Sequence, residues 1–159
     1  MTNAVGYYHY EREERLSQSA QHSGKKSYDI NRDFPYNQDR SSDCLNTVAG
    51  RVLYEIYTKN NFVATLTFHG GTNVLGYPWG SYNHSYKKGR EYVGYLAPDH
   101  TSFEAFGRIM QEKAGQLNFK NDSRQNTRQY VLGDMSSTVY PVGGGLEDWA
   151  YGAAWDIKD

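Results

Sequence analysis

The chain has 159 residues and a net charge of −1 from 17 basic and 18 acidic side chains, which suits one ordinary domain and excludes a generally basic nucleic-acid binder. No apolar run approaches the roughly 18 residues of a membrane-spanning helix, and the N-terminal residues lack the basic and apolar regions of a signal peptide. The single cysteine excludes an internal disulfide framework and a cysteine-built zinc cluster. The sequence is rich in aromatic residues and glycine, with fifteen tyrosines, three tryptophans and sixteen glycines. This composition indicates a ligand site, because Tyr and Trp rings have both an apolar face and a polar group, and glycine lets the backbone come close to a ligand.

Helix and strand alternate in the first half of the chain. Apolar residues at three- and four-residue spacing predict a helix over 41–59, capped by Ser42 or Asp43. The segment 62–68, FVATLTF, is rich in β-branched and aromatic residues and predicts a buried strand. A helix followed directly by a buried strand favours an α/β layer fold with a largely parallel or mixed sheet.

The second half contains one further predicted helix. Residues 72–98 look irregular, and a helix capped by Asp99 or Thr101 then extends to about residue 114. Gly115 suits the C-terminal cap of that helix. Two polar stretches are predicted to be loops, over 9–28 and 116–129.

His69 directly follows the predicted strand and precedes two glycines. In open α/β sheets, ligands bind outside the carboxyl ends of the strands, so a histidine there can reach a metal or a reacting atom. The ordinary alternative is a histidine bonded to a backbone carbonyl, since one histidine alone is not a metal site. The two glycines favour a ligand, because they remove side-chain bulk where it would approach.

Asn31 and Arg32 are adjacent in the segment YDINRDFPY. The planar guanidinium suits a carboxylate and the amide adds a donor, so the pair could clamp a free carboxylate. Taken alone, the residues are better explained by a surface pair between Arg32 and Asp33, with Asn31 in a turn, because surface ion pairs are common and weak.

Two further candidates lie beside the glycine run 143–145. Tyr140 could be a mobile residue that donates a hydrogen bond to bound substrate. Glu147 could form an acidic pocket floor or act as a general base. From the residues alone, a loop tyrosine and an acidic helix N-terminus explain them better. Cys44, at the predicted start of the first helix, is expected to be buried in the helix face rather than reactive.

Read in order, six motifs resemble those of the zinc metallocarboxypeptidases of the carboxypeptidase A superfamily, the M14 peptidases. The motifs are NAVGY at 3–7, REE at 12–14, DINRDFPY at 29–36, TFHGG at 67–71, YPW at 77–79 and YPVGGGLEDWAY at 140–151. The order and spacing of three long motifs argue against chance, and the resemblance spans nearly the whole chain. HGG and GGxxDWxY are closer to the carboxypeptidase N/E-like branch than to the digestive enzymes.

This resemblance implies a fold and an activity. The fold is an α/β class, a three-layer α/β/α sandwich with a mixed, mainly parallel twisted sheet, present in part over residues 1–159. The activity is zinc-dependent removal of C-terminal residues from peptides or proteins. The implied partners are therefore peptide or protein C-termini, with no nucleic acid and no membrane span.

The resemblance also implies roles for single residues. His69 matches the later zinc ligand of the family. Asn31 and Arg32 match the pair that binds the terminal carboxylate of the substrate, and Tyr140 matches the mobile tyrosine that closes over it. Arg12 matches the arginine that polarises the scissile carbonyl, with Arg15 as its competitor.

Specificity rests on the pocket for the C-terminal side chain. In the N/E-like branch, an acidic residue soon after the Tyr-Pro of the HGG segment favours Lys or Arg, and Gly80 stands there in this sequence. Glu147 lies in the other pocket-forming segment and could supply the missing charge. We therefore expect a preference for basic C-terminal residues, the alternative being an apolar pocket lined by groups such as Trp79.

The chain departs from the family pattern at both ends. The HxxE motif that supplies two zinc ligands is absent from the sequence, and the general-base Glu is expected after residue 159. We expect this sequence to be the middle and later part of a peptidase domain, through truncation rather than as a deliberate fragment or a degenerate relative. The alternative functions are a non-catalytic module that binds peptide C-termini and, from the tyrosine count alone, a carbohydrate-binding domain.

Overall fold

The computed structural model describes residues 29–38, 44–70, 72–115 and 129–152. The chain divides into two compact units: the first unit is Met1–Gly70 with Gly143–Asp159, and the second unit is Gly71–Val142. The described helices are α1 (Val48–Lys59), α2 (His100–Ala114), α3 (Met135–Thr138) and α4 (Leu146–Gly152). The described strands are β1 (Val74–Tyr77), β2 (Ser85–Lys88), β3 (Glu91–Gly94) and β4 (Val131–Asp134). These helices and short sheets fit an α/β fold.

The core of the first unit is a stack of aromatic rings around Trp149 of α4. The Phe34 ring, which is fully buried, stacks on Trp149 with ring centroids 5.2 Å apart. From α1, the ring of Tyr54 stacks on Trp149 at 5.1 Å, and the ring of Tyr57 meets it at 5.8 Å. Offset ring pairs of this kind contribute about 0.5–1.5 kcal/mol each beyond the apolar area they bury, so they join α1 to α4.

Helix α1 begins later than its periodicity predicts. Its first residue is Val48, and the Thr47 hydroxyl accepts a hydrogen bond of 2.8 Å from the Gly50 N–H. The predicted caps, residues 42 and 43, lie outside the described residues. Cys44 stands before the helix and is partly exposed, so its predicted burial in the helix face is wrong. The first N–H groups of a helix have no hydrogen-bond acceptor within the helix. The Thr47 side chain accepts from one of them, which explains why the helix begins here.

The predicted strand 62–68 is wrong, because the structure has no strand there. Every residue of the segment is exposed, including Val63 and Phe68, which are 106% and 92% exposed. β-propensity describes how well a side chain fits a pleated, half-buried surface, and within the described residues no neighbouring strand provides one. His69, expected at a strand end, therefore follows an exposed coil.

The second unit contains two small sheets among its described residues. Strands β1 and β4 pair in parallel, with Val74 opposite Val131, and β2 and β3 pair antiparallel as a hairpin. The prediction that 72–98 is irregular is wrong, because three strands lie within it. Four-residue strands are too short to show a period-two pattern. A mainly parallel sheet was expected. The described residues instead contain one parallel pair, β1 with β4, and one antiparallel pair, β2 with β3.

Helix α2 matches its sequence prediction closely. It extends over His100–Ala114, with Asp99 at the N-cap position and Gly115, at φ 70°, at the C-cap. Gly107 is buried on its inner side, where an added Cβ would overlap the Leu132 side chain of β4. A larger residue at the point where α2 crosses this strand would therefore have to displace the end of the Leu132 side chain.

We expect Gly107→Ala to destabilise the protein by about 1–2 kcal/mol, because overpacking against Leu132 outweighs the helix propensity that alanine adds. Ser102→Ala, at an exposed position of the same helix, is the control and should gain a few tenths of a kcal/mol. Urea unfolding of both variants measures the difference. A Gly107→Ala protein more stable than the parent would show that Leu132 moves aside without cost.

Among the described residues, no helix is both long enough and apolar enough to cross a membrane.

Candidate functional site

The Asn31–Arg32 turn and the glycine-rich segment before α4 are joined by backbone hydrogen bonds. Phe34 N–H donates to Gly144 O over 3.1 Å, and Gly144 N–H donates to Tyr36 O over 2.8 Å. Gly144 has a φ of 68°, in the left-handed region that glycine adopts without strain. An added Cβ there would lie 2.5 Å from the Arg32 carbonyl oxygen. The glycine therefore allows the two segments to come into direct contact.

Asn31 connects this turn to the start of α4. Its Oδ1 accepts a hydrogen bond of 2.8 Å from the Leu146 N–H, across 115 residues of sequence. Its own N–H donates to Asp29 Oδ1 over 2.9 Å, which caps the 3-10 turn Ile30–Arg32. The side-chain oxygen of Asn31 is thus occupied as an acceptor, and the NH2 group at the other end of the same amide is the side-chain donor.

Arg32 ends the same turn and is partly buried. Its Nη1 donates to the Asn31 carbonyl oxygen over 2.6 Å, and the Arg32 carbonyl accepts a 2.6 Å hydrogen bond from Gln38 Nε2. Gln38 Nε2 also lies 3.0 Å from the Phe34 carbonyl oxygen. The first bond holds the guanidinium on the Asn31 backbone carbonyl, and the two bonds from Gln38 hold the backbone of the turn.

Asp33 is not the surface partner of Arg32 that the sequence alone suggests. It is only 2% exposed, and its carboxylate accepts hydrogen bonds from Asn46 N, Thr47 N and the Thr47 hydroxyl over 2.7–2.8 Å. In this way Asp33 attaches the Asn31–Arg32 turn to the start of α1. This role is not apparent from the sequence, because the partners are 13 and 14 residues away, beyond any local capping motif.

Glu147 lies in the first turn of α4 and is partly buried. Its Oε1 is buried and has no hydrogen-bond partner in the described structure, and an added Cβ on Gly145 would lie 2.5 Å from that oxygen. Burial raises the pKa of the Glu147 carboxyl, and the nearby charge of Asp148 adds to this, whereas the Asn31 side chain and the Arg32 charge oppose it. The structure therefore places a carboxyl next to the Asn31–Arg32 pair.

The raised pKa of Glu147 makes stability depend on pH. The folded chain binds the Glu147 proton more tightly than the unfolded chain does. The protonated carboxyl therefore contributes its full stabilisation below the ordinary pKa of 4.5, and this contribution is lost as pH rises through the higher pKa of the folded state. We expect Glu147→Gln, which has no charge to bury, to become more stable relative to the parent as pH rises above 4.5.

Denaturant unfolding at several pH values tests this expectation, with Glu55→Gln as the control. A hydrogen bond from Lys59 lowers the pKa of the exposed Glu55, so its contribution is present above the ordinary pKa and is lost as pH falls. The two variants should therefore move in opposite directions relative to the parent. A Glu147→Gln difference that is constant with pH would contradict the burial of this carboxyl.

The other candidates belong to different segments of the chain. His69 follows the exposed coil in the first unit, and Tyr140, which is 57% exposed, belongs to the second unit. Arg12 and its competitor Arg15 lie outside the described residues. Among the residues that are described, no group of three or more His, Cys, Asp or Glu side chains could hold a metal ion. The described part of the chain therefore does not fit a zinc site.

Comparison with known proteins agrees with the motifs around this site. A family model described as zinc carboxypeptidase matches residues 1–156. Carboxypeptidase SOL1 of Arabidopsis thaliana is 26% identical over 125 residues, which is 77% of this chain and 23% of the relative. The chain thus spans about a quarter of the length of that relative. Because the family model covers almost every residue, the chain belongs to the zinc carboxypeptidase family, the M14 peptidases.

Proposed function

We propose that the protein is a metallocarboxypeptidase that removes C-terminal residues from peptides or proteins, and that Asn31 and Arg32 bind the terminal carboxylate of the substrate. The observation that carries the proposal is the fixed position of these two residues against the segment that bears Glu147. Asn31 is held by Leu146 N–H, and Arg32 by the Asn31 carbonyl. Because both residues are held before substrate arrives, little ordering entropy is lost on binding.

The chemistry of the pair suits a peptide C-terminus. The Arg32 guanidinium offers planar donors that match a carboxylate, and hydrogen bonds between charged groups are about twice as strong as neutral ones. The Asn31 amide adds a neutral donor next to it. A C-terminal amide would have one oxygen fewer and no charge, so the pair would discriminate against it.

Glu147 supports a preference for basic C-terminal residues. A Lys or Arg side chain that reached its buried Oε1 would supply the hydrogen-bond donor that this oxygen lacks in the described structure. The positive charge would also stabilise the carboxylate, which is destabilised by burial in the free protein. The assignment to the N/E-like branch is part of this proposal.

The remaining roles rest on the family resemblance. We assign closure over the terminal carboxylate to Tyr140, polarisation of the scissile carbonyl to Arg12 and a zinc contact to His69. A three-layer sandwich built around residues 1–159 as one partial domain belongs to the same proposal. The described residues contain no group of three or more His, Cys, Asp or Glu side chains that could hold the metal.

Hydrolysis of peptides that end in Arg, Leu and Phe tests the proposal. We expect release of the single C-terminal residue, no cleavage of C-terminally amidated peptides and loss of activity with a zinc chelator. Glu147→Gln should lower the Arg-to-Leu ratio of kcat/KM about tenfold, as a charge-assisted hydrogen bond predicts. Glu112→Gln, an exposed change on α2, is the control and should leave the ratio unchanged.

Two outcomes would contradict parts of this proposal. Binding of peptides through their free C-termini without hydrolysis would favour the non-catalytic module instead of the enzyme. An unchanged Arg-to-Leu ratio in Glu147→Gln would remove Glu147 from specificity while leaving the carboxylate-binding role of Arg32 in place.

A further inference from the structure

The β2–β3 hairpin of the second unit presents three exposed cations, two on β2 and one in the turn. Lys87, Lys88 and Arg90 are all exposed, and within the described part of the chain none of them forms an ion pair, whereas Lys59, Arg108 and Lys113 all do. The nearest acid in sequence is Glu91, which stands opposite Lys88 in the ladder. The hairpin tip is therefore locally positive in a chain of net charge −1.

Exposed tyrosines lie beside these cations. Tyr86 and Tyr95 are 43% and 52% exposed, with ring centroids 5.4 Å apart and the rings tilted by 37°. Side chains two apart on a strand share one face, so Tyr86 and Lys88 point to the same side of the hairpin. On the other face of the hairpin, Tyr92 lies directly opposite Lys87, so a tyrosine is again next to a lysine.

The root and the turn of this hairpin are well defined. Gly94 N–H donates to the Ser137 hydroxyl over 3.0 Å, and Tyr95 N–H donates to the His84 carbonyl over 2.7 Å. The loop Gly89-Arg90 has a positive φ only at Gly89, which is typical of a two-residue type II′ turn. The cations are therefore carried on a fixed two-stranded support rather than on a free loop.

Lysines at a sheet edge commonly prevent one chain from pairing with another. Preventing strand pairing requires only charged side chains, so it does not explain why exposed tyrosine pairs lie on the same hairpin. A nucleic acid would stack its bases on open ring faces. The rings of Tyr86 and Tyr95 already contact each other, so their hydroxyl groups are more accessible than their ring faces. Hydroxyl donors next to cations suit carboxylates, and side chains of an extended peptide repeat with the same two-residue period as a strand.

We propose that the β2–β3 hairpin is a docking surface for an acidic, extended polypeptide segment, whose side chains reach Lys88 and Tyr86 on one face, Lys87 and Tyr92 on the other, and Arg90 at the turn. The inference does not rest on the proposed carboxypeptidase activity. The hairpin lies in the second unit, whereas Asn31 and Arg32 lie in the first. Binding and hydrolysis can therefore be measured separately.

Fluorescence anisotropy with the full chain tests the docking surface. The probe is a labelled peptide of about ten residues in which pairs of Glu alternate with pairs of Ser, so that carboxylates lie on both sides of the extended chain. Its C-terminus is amidated, so that recognition of a free carboxylate cannot contribute. The native chain should bind this probe, more weakly as salt rises, and should not bind a peptide in which Lys replaces each Glu.

Two triple variants with the same change in net charge provide the decisive comparison. The hairpin variant should bind the acidic peptide about tenfold more weakly, as expected from the loss of three exposed charge contacts. It combines Lys87→Gln, Lys88→Gln and Arg90→Gln. The control combines Lys59→Gln, Arg108→Gln and Lys113→Gln, and should weaken binding less than twofold. Tyr86→Phe with Tyr95→Phe, which removes only the hydroxyl groups, should also weaken binding. Circular dichroism melting confirms that each variant folds.

Three results would overturn the proposal. The first is no binding of the acidic peptide by the native chain. The second is an equal loss in both triple variants, which would indicate only general electrostatic attraction. The third is tighter binding of a single-stranded oligonucleotide of the same charge that displaces the peptide, which would assign the hairpin to a nucleic acid.

Discussion

Replacing Arg32 with glutamine should lower kcat/KM for peptides with a free C-terminus by about 100-fold, as expected when one charged partner of a carboxylate is removed from a partly buried site. The loss should be confined to peptides with a free C-terminus, because amidated peptides lack the carboxylate that we propose Arg32 binds. Arg32→Lys should recover only part of the loss, since an ammonium keeps the charge but not the planar pair of donors.

Steady-state kinetics with matched free and amidated peptides measures this effect. Arg108→Gln is the control, because Arg108 pairs with Glu104 on the exposed side of α2 and should leave kcat/KM within about twofold. Arg32 also donates to the Asn31 carbonyl, so the stability of the variant is measured in parallel. Full activity in a stably folded Arg32→Gln protein would show that the terminal carboxylate is bound elsewhere.

Asp33→Ala should produce the largest loss of stability among single changes near the site, about 3 kcal/mol. The change leaves Asn46 N–H, Thr47 N–H and the Thr47 hydroxyl without their acceptor, and each unsatisfied buried donor costs about 1–3 kcal/mol, in part recovered by water. Gly50 also contributes to this arrangement, because an added Cβ there would overlap the Asp33 carboxylate. The start of α1 should therefore loosen first.

Chemical denaturation and amide hydrogen exchange together test this expectation. Asp29→Ala is the matched control, because Asp29 accepts one hydrogen bond from Asn31 N–H and its loss should cost about 1 kcal/mol. In Asp33→Ala, protection from exchange should fall in the first turn of α1 more than in α2. Equal losses in the two variants would show that the Asp33 carboxylate does not connect α1 to the turn.

The proposed site was predictable from sequence to the extent that its residues lie in contiguous motifs. Asn31 and Arg32 form one such motif and Glu147 lies in another, so the family resemblance identifies them without a structure. The contact between them was not predictable from either segment, because Asn31 Oδ1 and Leu146 N–H are 115 residues apart. The burial of the Glu147 carboxyl and the rise in its pKa follow from that contact.

The sequence by itself determined the family, the presence of α1 and nearly the full extent of α2. Motifs and helix periodicity are local patterns, and α2 carries both an apolar period and a glycine at its C-terminal end. The tertiary structure decided the role of Asp33, the exposure of 62–68 and the pairing of the short strands. The physical reason is that capping at a distance, burial and strand pairing all depend on groups remote in sequence. A segment such as FVATLTF has a high β-propensity, but it becomes a strand only where a neighbouring strand supplies its hydrogen-bond partners.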